Sequence, residues 1–132
     1  MIQRIQTLYL TISTFICLFS FYLFPLELKN ENMFGIDYRF IFQKYSFVLI
    51  SLLNLICIIL YKKRSIQLYL NRFSILLIFI LIISFFLFNI DNFDRNYYLI
   101  LVSAVFNLIL ILFANKSILK DKKLVDSINR LR

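Results

Sequence analysis

Polar and apolar positions are unevenly divided along this chain, with four long uncharged runs separated by short charged segments. The runs cover residues 7–24, 45–61, 73–90 and 97–114 and are rich in Leu, Ile and Phe. They are solidly apolar, without the period of two that marks a barrel strand. At 1.5 Å per residue the 17 positions of 45–61 make about 26 Å of helix, close to a hydrocarbon core of roughly 30 Å. Lipid leaves a backbone no polar partner but itself, so runs of this kind read as helices. The pattern predicts an all-α fold: a polytopic membrane protein, a single domain over 1–132, with four transmembrane helices in an up-down bundle.

The segments between the runs complete the layout. The chain opens MIQRIQ, and its first run is too long for a signal sequence and is followed by PLELKN, with no small-x-small cleavage pattern, so it reads as a retained span. An external loop over 25–44 holds the one proline, Pro25, and the one glycine, Gly35. A basic link spans 62–72, and a tight loop around Asp91 to Asn96 leads into the fourth run. In the tail, 115–132, the residues Ile118, Leu124, Val125, Ile128 and Leu131 gather on one helical arc. That arc predicts an amphipathic C-terminal helix lying on a membrane surface, with Asp121 and Arg132 intruding on its apolar side; the same stripe also suits a partner protein's helix.

Composition agrees with this reading. Of 132 residues, 61% are hydrophobic and 17% charged, against a soluble average of roughly 45–50% apolar. The net charge of +8 does not point to nucleic acid, because the basic residues are scattered between apolar runs and form no continuous face. Eleven basic residues fall on the side that holds both termini and the link; only Lys29, Arg39, Lys44 and Arg95 fall on the other. The positive-inside rule then makes both termini cytoplasmic in a multi-pass protein of a plasma membrane.

Candidate chemistry is sparse. There is no histidine, and Cys17 and Cys57 lie inside apolar runs, apart from any carboxylate. That excludes the usual metal sites and catalytic triads, so no cofactor and no enzymatic activity are expected. No Lys, Arg, Asp or Glu interrupts a run, which argues against a proton-coupled path. Carboxamides do: besides Asn89 at the end of the third run, Asn54 and Asn107 sit near the middle of the second and fourth runs, at similar depth. A lone buried carboxamide is costly, so a direct Asn54–Asn107 contact between those helices is one expectation. Bonds to Ser51, Ser103, a local carbonyl or another subunit are the alternatives.

The opening MIQRIQTLYL, the link YKKRSIQLYLNR and the closing ANKSILKDKKLVDSINRLR together resemble an uncharacterised Bacteroidota family, a domain of unknown function, of small four-span membrane proteins. The resemblance covers nearly the whole chain and departs at Lys63, where the family pattern has Asn, and in a more lysine-rich tail. It implies a bacterial inner-membrane location and carries over no catalytic or binding residues. Because the family-like segments share the predicted cytoplasmic face, Gln3, Arg4, Lys62, Arg64, Arg130 and Arg132 become candidates for contact with anionic lipid or a partner's acidic patch.

Two functions fit. The first is a non-enzymatic structural or accessory membrane protein acting through helix–helix or cytoplasmic-face contacts, with lipid, a membrane protein or a second copy as partner. The alternative is a small oligomeric transporter or channel component lined by uncharged polar residues, among them Asn54, Asn107, Ser51, Ser84 and Ser103.

Overall fold

A computed structural model describes residues 2–23, 38–61, 63–88 and 95–130 of the chain. They form four helices: α1 (Ile2–Leu23), α2 (Tyr38–Ile59), α3 (Arg64–Phe88) and α4 (Arg95–Arg130). Each begins before its uncharged run, because the flanking polar residues include no helix breaker and continue the backbone ladder. The short turn from Leu60 to Lys63 sets α2 and α3 antiparallel. It is closed by Lys63 N–H donating to the Leu60 carbonyl at 2.9 Å. Most of the external loop, the loop at 91–94, Lys62 and Arg132 lie outside the described residues.

The helices form a four-cornered up-down bundle. Helix α1 packs on α2 and α4, and α3 packs on the same two, so α1 faces α3 and α2 faces α4 only across the diagonals. Apolar packing is strongest around Cys17, Phe47, Ile50, Ile78, Leu81, Phe85, Ile100, Ala104 and Ile111. A smaller group of Leu10, Cys57 and Ala114 closes the end nearer the N-terminus of α1.

The tail departs from expectation. No Gly or Pro occurs from Arg95 to Arg130, and the backbone stays helical throughout. At 36 residues α4 reaches about 54 Å. Its last turns therefore project as part of the bundle's long axis instead of forming a separate surface helix. Ile118 is fully buried and Asp121 is only 9% exposed. Asp121, which looked like an intruder on an apolar arc, is a packing residue.

By length and composition all four helices are apolar enough to cross a membrane. Large apolar side chains such as Phe15, Phe19, Phe79, Phe86 and Phe106 point outward. The expectation of a straightforward polytopic membrane bundle is nevertheless corrected by two findings. Only a third of each apolar window is buried within the bundle. What is buried includes Ser, Asn and Gln side chains that bond across helices, flanked by a partly exposed ion pair. The observed arrangement fits a globular four-helix bundle organised around its own polar core better.

Candidate functional site

Mid-helix serines and carboxamides in this sequence need partners, because a buried polar group left unpaired costs about 1–3 kcal/mol. The fold supplies them by aligning such residues along the inner faces of all four helices. Several serines first satisfy themselves against their own helix: Ser20 donates to the Ile16 carbonyl at 2.8 Å and Ser103 to that of Ile100 at 2.6 Å. Ser51 does the same to Val48, and Ser84 to Leu81, each at 2.7 Å.

The centre of the seam is a relay through α1. Asn54 Nδ2 on α2 donates to Ser13 Oγ at 2.7 Å. Ser13 Oγ in turn donates to Asn107 Oδ1 on α4, and Asn107 Nδ2 donates to Cys17 Sγ. Asn54 and Asn107 are thus brought together, but by a bridging hydroxyl. The physical reason is the diagonal placement of α2 and α4, which leaves the α1 surface between them. Ser13 was missed in the sequence although Gln6, Ser13 and Ser20 recur every seven residues, a spacing that puts all three on one face of α1. Its place on the inner face of α1, with Leu10 and Cys17, was the available clue.

The seam continues in both directions. Toward the C-terminal end of α1, Ser20 and Ser103 hydroxyls lie 2.7 Å apart. There Gln43 Nε2 also reaches Ser84 Oγ at 3.4 Å. Toward the other end, Gln67 Nε2 donates to the Cys57 carbonyl at 3.1 Å. Gln6 and Asn71 are buried nearby on α1 and α3. Among the described residues, Gln6 Nε2, Gln67 Oε1, both amide atoms of Asn71 and Asn115 Oδ1 have no protein partner. From Gln6 to Ser20 the seam runs about 21 Å along α1.

It ends in charge. Arg64 Nε lies 3.1 Å from Asp121 Oδ2, and Arg64 Nη1 donates to the Asp121 carbonyl at 3.3 Å. Of the cationic candidates, Arg64 is therefore turned to another helix of its own chain. Arg4 and Arg130 lie in α1 and α4, with side chains outside the described set; Lys62 and Arg132 are outside it altogether. Cys17 and Cys57 are both free thiols. No group of three or more His, Cys, Asp or Glu is found among the described residues.

A family model described as a domain of unknown function, DUF4293, matches residues 2–131. The chain belongs to this family. No curated protein and no solved structure matches it. What is shown for this DUF4293 member is family membership and a four-helix bundle. The accompanying picture of a simple four-span membrane protein is corrected by the shallow burial and the polar interior.

The same two findings overturn the placement of this DUF4293 chain as a straightforward multi-pass protein of the bacterial inner membrane with both termini cytoplasmic. They also overturn the partner expectation. The described polar contacts run between helices of one chain, as an internal core does, and present no surface set aside for anionic lipid, a membrane protein or a second copy. A purely structural or accessory role is likewise not what a polar core suits best.

Proposed function

We propose that this protein is a small transporter or channel component whose own bundle interior supplies a path lined by uncharged polar side chains. The observation that carries the reading is the seam itself: Asn54, Ser13 and Asn107 at its centre, Ser20 with Ser103 and Gln43 with Ser84 on one side, Gln67 and Asn71 on the other. A bundle held together only for structure gains little from such groups, since apolar residues of the same shape would pack as well without the desolvation cost.

The chemistry favours small uncharged solutes. Hydroxyls and carboxamides both donate and accept, and can exchange their mutual bonds for bonds to a passing solute. Among the described residues, an ion would meet no compensating charge between Ser20 and the Arg64–Asp121 pair. The unpartnered amide atoms of Asn71 and Gln67 offer extra bonding positions at the charged end. No catalytic step is part of this proposal; the sequence contains no histidine.

The test is solute-driven swelling of liposomes containing the full chain, with glycerol and urea as probes. Replacing the centre by apolar groups, in the triple variant Ser13→Ala, Asn54→Leu, Asn107→Leu, is expected to lower the rate to that of protein-free vesicles while helical content is kept. Unchanged flux in that variant would remove the proposal.

A further inference from the structure

An open cleft of about 700 Å³ lies where the α2–α3 turn meets the last turns of α4. Its walls include Lys63, Arg64 and Ser65 from the start of α3, and Lys122 and Asp126 from α4. Ile66 and Val125 contribute apolar surface. The cleft exists because α4 runs on as one helix past the body of the bundle and is clasped to α3 through Arg64 and Asp121.

Three features give it a preference for anions. Lys63 precedes the first residue of α3, and its carbonyl accepts the Gln67 N–H at 3.1 Å, so it occupies the N-cap position. A lysine there brings no acceptor oxygen for the first-turn amides, and that turn contains no acidic side chain. The positive end of a 25-residue helix is therefore left without a countercharge of its own. Lys63 and Lys122 add two ammonium groups from opposite walls, neither in an ion pair among the described residues. Arg64 is partly neutralised by Asp121, and Asp126 is the opposing carboxylate, which leaves the group net positive.

We infer that this cleft is a binding site for a soluble phosphate-bearing small molecule. Its phosphate sits between Lys63, Lys122 and the first turn of α3, and the Ser65 hydroxyl is available as a further donor. The site takes more than a single phosphate by size, and the apolar wall of Ile66 and Val125 suits a carbon-containing remainder. The inference stands apart from the proposed solute path, because the cleft is formed by the turn and the α4 extension.

Calorimetric titration of the purified full chain with inorganic pyrophosphate at low ionic strength tests it. Saturable binding is expected, weakened about tenfold or more in Lys63→Gln, Lys122→Gln and tightened in Asp126→Asn. These side chains are not buried, so the fold should survive; circular dichroism checks that it does. Lys44→Gln is the control, since Lys44 lies at the opposite end over the Phe21 ring, 5.0 Å from its centroid. Absence of saturable binding would overturn the inference, as would equal weakening by Lys44→Gln, which reports only net charge. A response confined to phosphatidic acid in vesicles, with none to pyrophosphate, would also overturn it, since the ligand would then be a lipid headgroup.

Discussion

Removing one oxygen atom from the middle of the seam isolates what its hydrogen bonds contribute. Ser13 Oγ accepts from Asn54 Nδ2 at 2.7 Å and donates to Asn107 Oδ1, and all three residues are buried. Ser13→Ala leaves that amide donor and that carbonyl acceptor without the partner they share. Each orphaned buried group costs about 1–3 kcal/mol, so the substitution is expected to destabilise the fold by about 2–6 kcal/mol. The Asn54 Oδ1 atom has no protein partner to begin with, so Asn54 has little reserve bonding to fall back on. The companion variant Ser13→Ala, Asn54→Leu, Asn107→Leu removes donors and acceptors together. It should cost less than Ser13→Ala alone, provided the leucines fit. Denaturant unfolding followed by circular dichroism gives both numbers. A Ser13→Ala cost at or below about 0.6 kcal/mol, the average for an interhelical hydrogen bond in lipid, would refute the reasoning. So would a triple variant that is worse by the sum of its parts.

Cysteines introduced at Ser20 and Ser103, with Cys17 and Cys57 replaced, should form a disulfide on mild oxidation because those hydroxyls lie 2.7 Å apart. The pair Asn54→Cys with Asn107→Cys should not, since α2 and α4 stand on a diagonal; gel mobility under non-reducing conditions separates the two results. Proline in place of the exposed Lys116 should interrupt α4, cost about 3 kcal/mol, and make the residues beyond it sensitive to limited proteolysis. Asp121→Ala should leave the Arg64 guanidinium, 22% exposed, without its carboxylate and lower the melting temperature; no change would mean that the pair holds nothing in place.

The sequence by itself determined the elements. Four uncharged runs, with no Pro or Gly inside them, leave the backbone only its own carbonyls to bond, and that makes helices wherever the bundle is placed. It also showed that Asn54 and Asn107 needed partners, because a carboxamide in an apolar run is costly irrespective of the fold. The tertiary structure alone decided who those partners are. Which helix stands between α2 and α4 depends on how the corners are filled, and no spacing along the chain encodes it; Ser13 became the bridge through that arrangement. The role of Asp121 was hidden for the same reason. On its own helix it breaks an apolar arc, and only the approach of α3 brings it the Arg64 side chain that its burial requires. Local hydrogen bonding is written in local composition, whereas the pairing of buried polar groups belongs to surfaces that meet only after the helices have packed.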